Sequence, residues 1–537
     1  MKNFTSKLGG ENREKETSFP VRQGSPCFRF APMAKNITIG ILATALFGTL
    51  LFLILNSRPE VVVTLPPEPI APLVVAPEPD LESAPQPAPI VEPAVEPEKD
   101  PRIVAFDAIL DAAQKDDPGL AGAAIGFSLV GPDGEILYER NGDIAQIPAS
   151  SLKTITTAAA LEILGPDFRF KTRLGISAPT KEGDRGDLVL LGGGDPMLRI
   201  SDLESWVQGL VEAGVKSVPG RVIGDGRFFS GSPFPDFWGW GDIGNGYGSP
   251  VSGLNLEHNR FLAVLQPGER EGEPASLVEV RPEVPGVRWM NRGTTAAEGT
   301  GDGMVLYGGE QATVMHLRGT IPLGGEMKVA GAVPDPEKFA AYQLRSVLLA
   351  AGIQVEGEAV GAGDLFLAHE PIPEIAEELL VHQSPPLLEI VTSIHATSDN
   401  HETECLYQMI GLHTGMPPDE AIRKHWEERG LDLTGLRMVD GSGLARADHI
   451  TPRSLARLQY VAATGPEGEK YVASLLETME GRVRFKGGAM SSIRSYAGLL
   501  NAGSGQRLCF ALLVNHYGDA ASVVKLQSDL FDVMDDW

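Results

Sequence analysis

Pro148-Ala149-Ser150-Ser151-Leu152-Lys153 is the stretch on which the fold of this chain turns. Beyond it Leu152, Ile155, Ala159 and Ile163 recur at the spacing of one helix face, and Gly165-Pro166 breaks the pattern. A helix is therefore predicted over residues 150–164. Residues i and i+3 share a helix face, which brings the Ser150 hydroxyl and the Lys153 amine together over one turn. A serine becomes nucleophilic when a base takes its proton, and a partly desolvated lysine kept neutral is such a base. A serine at a helix start also lies beside free backbone N–H groups, which suit a developing oxyanion. The same serine reads equally as an ordinary N-cap, so the hexapeptide alone leaves both readings open.

Working outward, residues 123–130 read as a strand, Gly131-Pro132-Asp133-Gly134 as a turn and residues 135–140 as a second strand. From about 180 to 378 glycine is frequent. Short strand-like runs recur there, at 187–191, 221–224 and 327–333, with an imperfect alternation over 304–317 and helical pieces at 203–213 and 336–351. From Ser384 the pattern turns helical; it ends in strand signals at 495–500 and 507–514 and a closing helix at 520–534. Two strands and a helix, an insertion, then helices, strands and a helix point to one α/β domain interrupted by a mainly β insertion of one or two domains. The expected division is 102–179 and 379–537 for the interrupted domain, with 180–378 inserted.

Ser398-Asp399-Asn400 lies between helical stretches, and Lys486-Gly487-Gly488 precedes the strand signal at 495–500. Serine–x–x–lysine, serine–aspartate–asparagine and lysine–threonine–glycine together are the signature of class A β-lactamases and penicillin-binding proteins. Around them stand Tyr138-Glu139-Arg140-Asn141, Gly193-Gly194-Asp195-Pro196, Val222-Ile223-Gly224-Asp225, and Ser252-Gly253-Leu254-Asn255 with Asn259. Further on come Ser384-Pro385-Pro386-Leu387, Glu404 and Asp440-Gly441-Ser442-Gly443-Leu444. In this ordered series the chain resembles the D-alanyl-D-alanine carboxypeptidase/endopeptidase family of low-molecular-mass, class C penicillin-binding proteins, over roughly 105–515.

The resemblance implies a β-lactamase/transpeptidase-like fold and a serine peptidase acting on peptidoglycan stem peptides, with β-lactams as covalent inhibitors. Ser150 is then the nucleophile, Lys153 its general base and Ser398 the relay of a proton to the leaving amine. Asn400 holds the substrate backbone, Lys486 supplies positive potential, and the N–H groups of Ser150 and Ala489 form the oxyanion hole. No cofactor or metal is implied. One departure stands out. The family's third motif reads lysine–threonine–glycine–threonine, whereas this chain has Lys486-Gly487-Gly488-Ala489, without either hydroxyl. The resemblance assigns that edge to the terminal carboxylate of the donor peptide, so grip on a free D-alanine is expected to be weaker, with Ser491 and Ser492 nearby. A wall-binding or scaffolding protein of weak or lost turnover is the alternative function, and a β-lactamase a third.

Other features bound these readings. A chain of 537 residues holds two or three domains. A net charge of -26 opposes general nucleic-acid binding, which needs a basic footprint. Residues 37–55 are uncharged and apolar, long enough to cross a hydrocarbon core of about 30 Å. Seven basic residues against three acidic ones precede them, which keeps residues 1–36 cytoplasmic and sends the rest outward. The expectation is a single-pass anchor in the inner (cytoplasmic) membrane with an extracytoplasmic catalytic domain; a cleaved signal peptide is the other reading. Thirteen prolines between Pro59 and Pro101 make residues 56–101 an extended Pro/Glu-rich spacer rather than a folded element. Cys405 and Cys509 read as buried thiols, although they can pair in an oxidising compartment. His395, His401 and His449 lack a metal-ligand spacing and read as surface or packing residues, and Asp195 as a turn residue.

Overall fold

The computed structural model describes residues 100–179, 186–212 and 214–537. Its central framework is a six-stranded antiparallel sheet. The strand order is Leu476–Thr478, Val483–Met490, Ile493–Asn501, Arg507–Asn515, Ala124–Val130 and Ile136–Arg140. The two ends of the described chain thus meet in one sheet, with Ala124 opposite Asn515 and Val130 opposite Cys509.

Successive strand residues face opposite sides, and the central strand Arg507–Asn515 is apolar on both. Leu508, Phe510, Leu512 and Val514 pack with Phe106 and Phe531 of the helices Pro101–Lys115 and Ala520–Asp535. Cys509, Ala511 and Leu513 face Ile155, Ile390, Ile410 and Trp426 of the helical layer on the other side. A strand buried on both faces must be a near-continuous apolar run, which is why this one is legible in the sequence.

The insertion has its own core. A five-stranded sheet runs in the order Ala359–Gly361, Val222–Asp225, Leu188–Leu191, Lys171–Ser177, Ile375–Gln383, with the helix Pro336–Ala350 among the elements packed on it. Two three-stranded sheets, one centred on Val314–Pro322 and one on Arg260–Gln266, and a two-stranded pair of Ser217–Val218 with Gln354–Val355 accompany it. Leu190, Val222, Phe261, Leu306 and Leu344 share the core. Lys171–Ser177 and Ile375–Gln383 pair antiparallel, so the chain enters and leaves side by side. The inserted sheet therefore begins at Lys171 and ends at Gln383, a few residues outside the expected 180–378.

Two local features differ from expectation. The turn Ala149–Leu152 is a 3-10 turn, with the α-helix proper at Lys153–Ile163. Val483–Met490, which contains Lys486-Gly487-Gly488, is itself a strand paired with Ile493–Asn501. Glycine pairs carry little strand propensity, and here the partner strand supplies the hydrogen bonds. Cys405 and Cys509 are both buried free thiols, on the helix Asn400–Thr414 and the central strand, and do not pair. The expected anchor at 37–55 and spacer at 56–101 lie outside the described residues, apart from the spacer's last two; among the described residues no helix is long and apolar enough to cross a membrane.

Candidate active site

The residues 148–153 form a bend pressed between the sheet and the helical layer. Ala149 stands in the left-handed region at φ 47°, a conformation held only when the surroundings fix it. The Ser495 hydroxyl donates to the Pro148 carbonyl from the sheet. Lys153, the first residue of the α-helix, is fully buried. Its Nζ has three partners: Ser150 Oγ at 2.9 Å, Asn400 Oδ1 at 2.6 Å and the Ser442 carbonyl at 2.7 Å. Burial pushes the amine down to about 8 against the opposing pull of Asp440 and Glu404.

The second motif occupies the break between the helices Leu387–Thr397 and Asn400–Thr414. Ser398 ends the first helix in the left-handed region at φ 60°. Asp399 caps the second, its Oδ1 accepting from the Glu402 N–H at 3.0 Å. Asn400 Nδ2 donates to the Tyr247 carbonyl of the insertion at 2.9 Å. From the sheet, Lys486 Nζ donates to Ser398 Oγ at 2.8 Å and to the Gly487 carbonyl at 2.6 Å. Burial, and then the charge of Lys153, push Lys486 down to about 7.

The structure therefore brings the five residues together as two hydrogen-bonded groups, Ser150–Lys153–Asn400 and Ser398–Lys486, joined through the short 398–400 segment. The two glycines of the third motif differ sharply. A Cβ on Gly488 would stand 2.6 Å from the Ser150 nitrogen and 2.8 Å from the Ser151 nitrogen, so strand and turn touch backbone to backbone. A Cβ on Gly487 would meet nothing nearer than 3.6 Å. Ala489 follows on the same strand and is exposed.

Several supporting residues carry no local signature of a site. Glu404 is buried, and its carboxylate accepts from the Gly441 N–H at 3.0 Å and the Ser442 N–H at 2.8 Å. The Ser442 carbonyl is the one that faces Lys153. Asp440 accepts from the Gly443 and Ala445 N–H groups and from Trp238 Nε1 of the insertion. The sequence signal was the spacing of Asn400 and Glu404, i and i+4 on one helix face. Burial pushes the Glu404 carboxyl up, with Asp440 adding to it.

His395 is a packing residue of the site's rear wall, bridging Thr157 Oγ1 at 2.9 Å and Ser474 Oγ at 3.0 Å. Burial and the nearby Lys486 charge push it down to about 3. His401 is also fully buried, and His449 pairs backbone to backbone with Arg437. Asp195 makes the expected turn bond to the Met197 N–H at 2.8 Å, but is buried within the insertion's contact region and pushed up to about 7 by that burial. His258, Asp399 and Glu402 converge closely enough to bind a cation together. The guanidinium groups of Arg260, 2.6 Å from Asp399, and Arg199, 2.8 Å from His258, already bring positive charge there. A cavity of about 390 Å³ opens between the insertion and the second motif, lined by Tyr247, Arg260, Asp302 and residues 397–400.

The model of the D-Ala-D-Ala carboxypeptidase 3 (S13) family matches residues 106–534. The D-alanyl-D-alanine carboxypeptidase of Actinomadura sp. (strain R39) is 31% identical over 453 residues, 78% of this chain and 82% of that relative. The D-alanyl-D-alanine carboxypeptidase DacB of Haemophilus influenzae is 24% identical over 421 residues, 73% of this chain and 85% of its own. The crystal structure of penicillin binding protein 4 (dacB) from Haemophilus influenzae superposes with a TM-score of 0.69 at 21% identity, covering 80% of this chain and 99% of that one. The two share the mixed α/β fold of penicillin-binding proteins.

Proposed function

We propose, from the premise that this chain belongs to the D-Ala-D-Ala carboxypeptidase 3 (S13) family, that Ser150 and Lys153 carry out acyl transfer on peptidoglycan stem peptides. The chain is a serine peptidase, a hydrolase of that family. The observation that carries the assignment of roles is the environment of Lys153 Nζ. Two of its three partners, Asn400 Oδ1 and the Ser442 carbonyl, can only accept. A neutral amine spends its two N–H bonds on them and turns its lone pair to Ser150 Oγ, the only partner with a proton to give.

In acylation Ser150 Oγ attacks the carbonyl carbon of the scissile D-alanyl bond while its proton passes to Lys153 Nζ. The tetrahedral oxyanion lies between the N–H groups of Ser150 and Ala489. Collapse breaks the C–N bond. Ser398 delivers a proton to the leaving nitrogen and is replenished, by way of Lys486, with the proton that Lys153 took from Ser150, so Lys153 ends the step neutral. Lys486 already donates to Ser398 Oγ, which leaves the hydroxyl hydrogen free to point at substrate. Water then attacks the ester with Lys153 as base, and Ser150 is regenerated. Asn400 Nδ2, which meets the Tyr247 carbonyl in the free enzyme, is the group that takes the substrate backbone. Without hydroxyls at Gly487 and Ala489, the site favours cross-linked peptides over a free terminal carboxylate, an endopeptidase bias.

The Haemophilus influenzae protein has been solved in complex with a novel β-lactam; β-lactams acylate Ser150 here by the same step. Residues 37–55 anchor the chain in the cytoplasmic membrane and the 56–101 spacer extends the domain outward toward the wall. Fluorescent penicillin tests the core of this reading. Wild type takes a covalent label, Ser150→Ala takes none, and Lys153→Met acylates about 10²–10⁴-fold more slowly. Label retained in the cleft of Ser150→Ala, or an unlabelled wild type, overturns it. Protease applied outside spheroplasts should digest the catalytic domain and spare a tag at Met1; a mature chain starting beyond Leu55 refutes the anchor.

A further inference from the structure

Ser398 has a branchless but substituted Cβ at φ 60°, on a hinge of two residues between two helices. Such a conformation persists where the surroundings over-determine it. Lys486 holds its hydroxyl from the sheet, and the groups that hold the next two residues belong to the insertion. Asp399 spends Oδ1 on the cap of its own helix, and its Oδ2 accepts from Arg260 Nη1 at 2.6 Å. Arg260 also donates through Nε to the Gly246 carbonyl at 2.5 Å and reaches Ser249 Oγ at 3.3 Å. Between those two anchor points lies Tyr247, whose carbonyl receives Asn400 Nδ2. One planar guanidinium thus grips both the residue between Ser398 and Asn400 and the turn that holds Asn400 from the other side. Its own place is fixed by backbone. It begins the strand Arg260–Gln266 directly after Glu257, His258 and Asn259, all in the left-handed region.

We propose that Arg260 is a positioning residue for the reaction, acting through Asp399 and the 246–249 turn to set where Ser398 and Asn400 stand relative to Ser150. This rests on the roles proposed above for Ser398 and Asn400. An ion pair that merely joined two domains would hold Asp399 alone; this one is forked onto both supports of the second motif. It also keeps a charged carboxylate at Asp399 in the presence of buried surroundings. Burial alone would raise that group, and Arg260 with His258 holds it well below the usual carboxylate range.

The test is stopped-flow acylation by a fluorescent penicillin, separating the saturating rate constant from the dissociation constant, in wild type, Arg260→Met, Arg260→Lys, Asp399→Asn and the double variants. Arg260→Met should lose roughly 10- to 100-fold in the rate constant, by analogy with the loss of hydrogen-bond partners behind metal ligands, with the dissociation constant within about threefold. Arg260→Lys should recover part, since an ammonium reaches Asp399 but cannot reproduce the fork. In the Asp399→Asn background either Arg260 change should cost clearly less than in wild type, the remainder coming from the 246–249 turn. Additive losses in the two backgrounds, or a loss confined to the dissociation constant, overturn the inference. Should Arg260→Met not fold, Arg260→Lys and Asp399→Asn must still be non-additive. A wild type that takes no label sinks the functional reading and this one with it; a labelled wild type with additive variants sinks this one alone.

Discussion

Two adjacent glycines of the third motif should respond oppositely to one methyl group. A Cβ on Gly488 would stand 2.5 Å from Ser495 Oγ, 2.6 Å from the Ser150 nitrogen and 2.8 Å from the Ser151 nitrogen. The serine hydroxyl can rotate away, but the two backbone nitrogens belong to the nucleophile turn and cannot. Overpacking of this kind costs about 1–3 kcal/mol when the structure must shift. The shift available here is separation of the strand Val483–Met490 from the turn, which pulls the Ala489 N–H away from the Ser150 N–H. Loss of one oxyanion donor lowers a rate about 10²–10³-fold, so Gly488→Ala should slow penicillin acylation by that amount. Gly487→Ala meets nothing nearer than 3.6 Å and should leave acylation within about threefold. It should also raise stability by roughly 0.5–1 kcal/mol, because glycine is poor in a strand interior. Acylation rates and thermal melts of the two variants, side by side, are the assay. Gly488→Ala acylating like wild type, or Gly487→Ala slowing it as much, refutes the backbone contact as the origin of the glycine.

Lys153 must be neutral to take the Ser150 proton, so acylation should rise with pH through about 8. Like charges depress one another, and the Lys153 charge lowers Lys486, so Lys153→Met should raise Lys486 above about 7, read by NMR titration of its side chain; a Lys486 that stays put or moves down contradicts the pairing. Glu404→Ala orphans the buried Gly441 N–H, leaves the Ser442 N–H only its longer bond to Asp440 Oδ1 at 3.1 Å, and loosens the Ser442 carbonyl at Lys153. It should cost roughly 1–3 kcal/mol in urea unfolding, with a slower acylation, whereas Glu404→Gln, which keeps an acceptor, should cost less. Gly487→Thr and Ala489→Thr restore the absent hydroxyls where space exists. A hydrogen bond to a charged carboxylate contributes about 1.5–3 kcal/mol, so D-alanine release from a pentapeptide should rise roughly 10- to 150-fold at most while cleavage of a cross-linked dimer changes little. Equal effects on both substrates count against the carboxylate argument.

What the sequence disclosed follows from which forces are local. The strands Ala124–Val130 and Arg507–Asn515 and the helix Ala520–Asp535 are read within a residue or two, because period-2 and period-3.6 burial is written in consecutive residues. Ser150 and Lys153 lie three apart and are visible for the same reason. The strand Val483–Met490 was not, since its glycines fit there through contact with Ser150 and not through propensity. The 440–443 loop reads by its glycines as a turn, and only the resemblance placed it near the cleft. Its function comes from Glu404, 37 residues away from Gly441 in the chain. Arg260 and Asp399 are 139 residues apart, and no periodicity links them. Asn400 and Glu404 could have been joined earlier, as neighbours on one helix face.

The placing of charge explains why this site can bury two lysines and keep them useful. Among the described residues, no carboxylate forms an ion pair with Lys153 or Lys486. A direct carboxylate partner would hold Lys153 protonated and end its service as a base. Full removal of acids would leave two buried amines with nothing but desolvation, and a loop without its anchors. Glu404 and Asp440 stand one peptide back instead: they bind N–H groups of the 441–445 loop, and the far end of that hydrogen-bonded loop presents the Ser442 carbonyl to Lys153. The lysine thus feels aligned peptide dipoles at contact distance and the carboxylates only at one remove. That arrangement accounts for an amine driven down to about 8 rather than abolished or held at its ordinary value. The acids are therefore as much a part of the base as the lysine is, and the loop between them is the component whose distortion should change the pH of acylation before it changes the fold.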